Sequence, residues 1–386
     1  MDFDLQWLLL ALPVAFALGW LASRLDLRQW KREQRDSPKA YFKGLNLLLN
    51  EQQDKAIDAF IEAVQQDPDT SDLHFALGNL FRRRGEYERA VRVHQHLLNR
   101  ADLAVTERDR AQHGLAQDYM KAGLFDRAEQ AWHALEGTAF DTEARLALLT
   151  LHERSRDWRA AVDDAQKLER SSATGSYASR IAHYWCELAL EADAKQQTAD
   201  ADDALRKARE AAPQAARPLV LAGERAHAAG DHAQAVQHWR ALLATHPGAF
   251  TLVARDFASS AAAAGEGTVA TAELDALYRR TPTLDLLDAI ALLEPDLPAR
   301  HRRVAQHLSS HPSLSAARSL LKIRIAERGT TDDPEVQSIE AAIARAAKPL
   351  QRYRCAACGF EAQNYFWQCP GCLNWDTYPT QRLEDL

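Results

Sequence analysis

Two glycines standing 34 residues apart, Gly44 and Gly78, open a pattern that recurs in register and limits what this chain can fold into. Twelve positions after each comes an alanine, Ala56 and Ala90, and sixteen after come Phe60 and His94. Each unit reads as a helix, a tight turn at residues 50–54 or 84–88, and a second helix. Small residues let the two backbones approach closely, while the larger one fills the space between this pair and the next. A single pair cannot bury its apolar face, so the pattern demands a stack of pairs with a long concave surface.

A 34-residue period with this placement of small and large residues is the tetratricopeptide signature. With the alanine after each turn as marker, the register runs through Ala56, Ala90, Ala128, Ala161, Ala201, Ala235 and, faintly, Ala270. Insertions at residues 101–106 and 171–176 account for the longer spacings. Pro68, Pro213, Pro247 and Pro282 fall where second helices should end, because proline cannot continue a helix. Beyond residue 282 the consensus fades, yet residues 298–308, 313–327 and 334–347 keep helical apolar spacing, so further pairs are expected. A chain of 386 residues with 14 prolines suits such an array better than one compact core. Its net charge of -7 gives no basic bias and argues against a nucleic-acid partner. No phosphate-binding glycine loop, nucleophile elbow or metalloprotease histidine pair occurs, so nothing in the pattern indicates an enzyme.

At the amino terminus no charged residue occurs from Leu5 to Ser23, and Leu5 to Ala22 as a helix would reach about 27 Å, enough for a bilayer core. Trp7 and Trp20 stand near its two ends, where aromatic residues suit membrane interfaces. Asp2 and Asp4 precede the run in place of the basic start of a signal peptide, which favours an anchor over a cleaved leader. Arg24, Arg28, Lys31, Arg32 and Arg35 follow it, and positive residues stay inside, so the rest of the chain is expected on the cytoplasmic face of an inner membrane. A lipid headgroup site in this basic cluster stays open.

First helices line the concave face of such arrays. In the second repeat this places Phe75, Asn79, Arg82 and Arg83 there, and in the third Arg110, His113, Gln117 and Lys121. A partly basic floor with polar donors suits an acidic peptide, with a solvated helix face as the alternative. Tyr41 and Leu45 stand where chaperone-tail-binding repeats carry lysine and asparagine, so that ligand is not expected. Cys186 falls on a first helix with no basic cluster around it and reads as a packed, inert thiol.

Near the carboxyl end, Cys355 and Cys358 form one C-x-x-C turn and Cys369 and Cys372 another. Two such turns facing each other make a four-sulfur shell for one metal ion, with no open position for hydrolytic chemistry. Zinc is the favoured metal. Iron is the alternative, because C-x-x-C-G followed by C-P-x-C also reads as rubredoxin knuckles, and iron there would make a one-electron carrier. The expected architecture is all-α: a transmembrane anchor (1–23), a basic juxtamembrane linker (24–37), a tetratricopeptide superhelix with degenerate final repeats (38–347), and a small rubredoxin-like zinc ribbon (348–386).

Along nearly its whole length the chain resembles the lipopolysaccharide assembly protein B family, most specifically at residues 78–86, 118–129, 181–189 and 353–360. The resemblance implies a cytoplasm-facing inner-membrane adaptor whose metal domain packs on its repeats, with Cys355, Cys358, Cys369 and Cys372 as ligands. It further implies regulation of lipopolysaccharide synthesis by presenting the lipid A deacetylase LpxC to the membrane protease FtsH. A lipopolysaccharide-sensing inner-membrane protein would oppose that delivery. The sequence is equally compatible with a homo-oligomer, and a redox carrier or a generic assembly scaffold for membrane complexes are the rival readings.

Overall fold

The computed structural model describes residues 15–20, 42–66, 69–171, 175–294, 296–329 and 333–385. Residues 15–20 are helical; the rest of the expected anchor, the basic linker and Pro68 lie outside the described residues. Among the described residues no helix is long and apolar enough to cross a membrane.

The chain divides into two compact units, Met1–Ala160 and Ala161–Leu386. The first unit begins with helix α1 (residues 42–49) and α2 (Gln53–Gln66). The pairs α3 (Ser71–Arg84) with α4 (Tyr87–Leu98) and α5 (Val105–Ala122) with α6 (Phe125–His133) follow, then α7 (Asp141–Ser155). Helix α8 (Trp158–Ser171) carries the chain into the second unit. There the pairs are α9 (Ala178–Ala194) with α10 (Thr198–Ala211) and α11 (Arg217–Ala228) with α12 (His232–Thr245). A short helix, α13 (Pro247–Phe250), and a 3-10 turn lead into α14 (Ala254–Ala263), which pairs with α15 (Gly267–Arg280). The stretch beyond residue 282 is also helical: α16 (Leu284–Leu293), α17 (Leu297–Ser310), α18 (Leu314–Arg328) and α19 (Pro334–Ala347).

Packing follows the sequence marker. All seven marker alanines, from Ala56 to Ala270, are 0% exposed, which is why nothing larger is tolerated where the two helices of a pair cross. Where a glycine stands sixteen positions before the filler, it has the same cause. A Cβ on Gly44 would lie 2.7 Å from the Phe60 ring, and one on Gly78 would lie 2.6 Å from the His94 ring. Gly223 repeats the arrangement against Trp239. Where helices end, Gly85, Gly123 and Gly329 adopt the left-handed conformation that closes a helix and that L-residues avoid.

His94 is the exception among the fillers, a polar ring at 1% exposure. It is tolerated because its Nδ1 lies 2.6 Å from Asp118 Oδ2, while Arg82 donates to Asp118 Oδ1 at 2.7 Å and to the Gly114 carbonyl at 3.0 Å. A buried network of this kind is stable only when every member is satisfied, since removing one partner strands the others in a low dielectric.

Candidate metal centre

After α19 the chain runs mainly in turns and short strands, with one 3-10 turn at Leu383–Asp385. Strand β1 (Tyr353–Arg354) pairs antiparallel with β2 (Glu361–Ala362), and a bridge joins Gln368 to Trp375. Between these lie two knuckles of matching geometry. In the first, the Cys355 amide donates to the Phe360 carbonyl and the Gly359 amide to the Cys355 carbonyl, both at 2.9 Å. In the second, the Cys369 amide donates to the Asn374 carbonyl at 2.9 Å and the Leu373 amide to the Cys369 carbonyl at 2.8 Å. Gly359 takes a φ of 77° and Leu373 one of 59°, so the second knuckle uses a leucine where the first uses glycine. The left-handed region costs an L-residue roughly 1–2 kcal/mol, a strain the surrounding shell must hold.

The knuckles bring four thiols together, with all Sγ atoms of Cys355, Cys358, Cys369 and Cys372 within 4.8 Å of one another. Cys355 and Cys372 are 3.9 Å apart, Cys358 and Cys369 3.6 Å. A tetrahedral ion with metal–sulfur bonds of about 2.3 Å requires sulfur–sulfur edges of about 3.8 Å, which these two edges of 3.9 and 3.6 Å approach, so the four thiols can hold one zinc- or iron-sized ion. Burial alone would raise the Cys355 thiol, but the Thr377 hydroxyl and the Ala357 and Cys358 amides outweigh it and hold it below the usual thiol range. The Gly371 amide donates to Cys369 Sγ at 3.4 Å. A bound ion would have four protein ligands and act as a cross-link between the knuckles.

The same loop fastens the ribbon to the repeats of its own unit. Trp375 stacks on the His183 ring of α9, with centroids 4.6 Å apart and planes 16° apart, and meets Tyr184 edge-on at 5.9 Å. His183, only 2% exposed, places Nε2 2.8 Å from Asp376 Oδ2, to which the Ser179 hydroxyl also donates at 3.0 Å. Arg217 of α11 lies over Trp375 at 5.6 Å and over Trp367 at 6.0 Å, while donating to Glu187 at 2.6 Å. Burial would raise the Asp376 carboxyl, but the bonds from His183 and Ser179 and the Arg217 charge more than offset it and hold it below the usual carboxylate range. Arg382 grips Asp285 of α16 with two 3.1 Å bonds, and Gln351 donates to Ser315 of α18 at 2.9 Å. Leu252 packs against both the repeat core and the cluster of Tyr353, Cys355, Cys369 and Tyr378, so the two cores are continuous.

The residues assigned to the concave face fall into two groups. Phe75 is buried against Leu97, Leu103 and Ala111. Arg82 belongs to the Asp118 network and also donates to Asn79. Arg110 pairs with Asp72 at 2.9 Å, and His113 with Glu143 at 2.8 Å, with Gln117 directed at both His113 and Glu143. Arg83 and Lys121 are exposed. Cys186 is fully buried, and burial pushes its thiol up to about 12, which makes it inert as a nucleophile. The family resemblance implies that the metal domain packs on the repeats, but the sequence does not single out His183, Arg217 and Asp376 as the contacts, because partners as far apart as His183 and Asp376, 193 residues, leave no spacing signal.

Residues 353–378 match the family described as rubredoxin metal binding domain. Among solved structures the chain is similar to the Naa15/Naa10 complex bound to HypK-THB, at a TM-score of 0.44 and 14% identity over 80% of this chain and 51% of that one. Of curated relatives, lipopolysaccharide assembly protein B of Haemophilus influenzae is 26% identical over 97% of each chain. The protein of the same name from Escherichia coli K12 is 32% identical over 99% of this chain and 100% of its own length. A likeness of that extent, with a four-thiol ribbon in the matching place, makes this chain a member of the lipopolysaccharide assembly protein B family.

Proposed function

We propose that this chain is a non-enzymatic adaptor, held at the inner membrane by residues 5–22 with its repeats and ribbon on the cytoplasmic side. It brings the deacetylase LpxC to the protease FtsH and so limits lipopolysaccharide synthesis, under the opposing influence of a lipopolysaccharide-sensing membrane protein. The observation that carries this reading is full-length membership of a family named for lipopolysaccharide assembly. Cys355, Cys358, Cys369 and Cys372 are the ligands of its metal ion, zinc before iron, and the role of that ion is structural. A shell closed by four thiols offers no open coordination position, so the protein works through surfaces. Tethering adds function without new contacts, because confining enzyme and protease near one surface raises their effective concentration. The test is the lifetime of LpxC in cells depleted of this protein. A longer lifetime is expected, and restoration should require residues 5–22; an unchanged lifetime overturns the reading in favour of a general assembly scaffold.

A further inference from the structure

The concave face of the first unit carries a row of cations that pairing inside the repeats leaves unused. Asp72, Arg110 and Glu143 each stand eighteen residues before a marker alanine, Ala90, Ala128 and Ala161. Asp72 and Arg110 bond at 2.9 Å, so side chains at the same repeat position meet across neighbouring first helices. Eleven residues further along each helix, three full turns and therefore on the same stripe, stand Arg83, Lys121 and Arg154. All three are exposed. Among the described residues none has a carboxylate partner; Arg154 rests over the Phe125 ring at 5.2 Å. Their neighbours on the helices are committed: Arg82 to Asp118, Arg84 to Asp54 and Glu86, and His152 to Glu129. Cations in a last turn also favour the helix dipole, yet the same position in the next three repeats is alanine, at Ala194, Ala228 and Ala263, so helix capping does not require them.

We propose that Arg83, Lys121 and Arg154 form a ladder that binds an acidic peptide segment in extended conformation, the docking site for a client of the adaptor; the proposal rests on the adaptor reading given above. First helices of neighbouring repeats pack about 8–10 Å apart, and a chain in the extended polyproline II conformation advances about 3.1 Å per residue with three residues per turn, which keeps every third side chain on one face. The rungs therefore match carboxylates at every third residue. Between rungs and paired end, the exposed Asn79 and Thr150 occupy the same stripe. Asn79 Oδ1 accepts from Arg82 and the Thr150 hydroxyl donates to the Leu146 carbonyl, which leaves the Asn79 amide nitrogen to donate and the Thr150 oxygen to accept at the peptide backbone, while Gln117 stays bonded to His113 and Glu143. Specificity comes from spacing, since only a segment with that period meets all three cations at once.

The experiment is fluorescence anisotropy on the full chain in nonionic detergent, with labelled peptides carrying three glutamates either at every third position or in one block. The spaced peptide should bind more tightly than the blocked one. Arg83→Ala/Lys121→Ala/Arg154→Ala should weaken it about tenfold, each rim charge contributing a few-fold, while Arg83→Lys/Arg154→Lys retains binding. Arg110→Ala, which removes a cation already paired, should change affinity less than about twofold. Unchanged helicity and melting of the triple variant show that lost binding is not lost folding. Equal affinity for both peptides, or no effect of the triple variant, overturns the ladder. So does ladder-dependent binding to phosphatidylglycerol vesicles without peptide binding, which would assign the row to lipid headgroups. Failure here with LpxC lifetime still dependent on the protein would leave the adaptor standing and remove only its docking site.

Discussion

The two units build the same kind of first-helix face and finish it in opposite ways. In the second unit the face carries its own occupant: Trp375 stacks on His183, Asp376 takes the His183 and Ser179 bonds, and Arg382 holds Asp285. In the first unit no element of that unit covers the corresponding stripe among the described residues, and it ends in Arg83, Lys121 and Arg154. The difference teaches what a repeat face needs in order to be stable by itself. Where a ligand is supplied in cis, aromatic rings and a buried histidine can be placed on the face, because the ribbon keeps water from them. Where none is supplied, the face must be charged and paired, as Asp72 with Arg110 and Glu143 with His113 are.

The largest expected effect separates the units outright. Replacing Cys355 or Cys369 by serine, or removing the metal with a chelator, withdraws a cross-link that contributes on the order of 10 kcal/mol in small four-ligand domains. The ribbon should lose hydrogen-exchange protection, and with it the faces of α9, α11 and α16. Protection in α3 and α5 should persist, and far-UV circular dichroism should fall little, because the helices outnumber the ribbon's two short strands. Equal loss of protection in both units would break the comparison. Metal analysis of the unmodified chain, made without an affinity tag, decides between zinc and iron.

A smaller effect tests whether the occupant is held by its tryptophan. Trp375→Ala removes the stack on His183 and the contacts to Tyr184 and Arg217, and should cost about 3 kcal/mol, the low end for a large aromatic because part of the ring is exposed. Thermal unfolding reads the loss, with metal content unchanged. Combined with His183→Ala, the two changes should be less than additive by about 1 kcal/mol. Full additivity would mean that the ribbon is held elsewhere, through Arg382 and Leu252.

What could be read from the sequence divides along the range of the interactions. The helical pairs were legible because Ala56, Ala90 and their successors answer to a neighbour sixteen or fewer residues away, and the final helices because apolar spacing survives where consensus does not. The thiols that converge are those the C-x-x-C spacing singles out, since each knuckle is a local turn. His183 and Asp376 were not legible as partners; 193 residues separate them, and although His183 lies in one of the stretches that carry the family resemblance, no spacing links it to Asp376. The concave face lies between these limits. Repeat register shows that Arg83, Arg110 and Lys121 share a face, but only the structure shows Arg110 engaged by Asp72 and Arg82 by Asp118. Arg154 joins Arg83 and Lys121 only through the stripe that the Asp72–Arg110 contact defines.

The smallest effect concerns the carboxylate that completes the docking contact. Asp376 is held below the usual range in the folded chain, chiefly by the His183 and Ser179 bonds that outweigh its burial, whereas in the unfolded chain it titrates near the ordinary value of about 3.9. A carboxyl with a lowered folded value contributes stability that is fully present above the unfolded value and disappears as pH falls through the folded one. Asp376→Asn keeps the shape and the thiol shell but has no charge to lose, so the two proteins share the acid sensitivity of the metal site and differ only in this group. The gap between their urea midpoints should therefore be constant from pH 7 to about pH 5 and begin to close below about pH 4. The side chain is 47% exposed, so solvent screening keeps the gap small. A gap that widened on acidification would mean that Asp376 is worse off in the docked ribbon than in water. In that case His183 would hold the ribbon through its stack on Trp375 alone, and the second unit's face would be apolar in its energetics as well as in its lining.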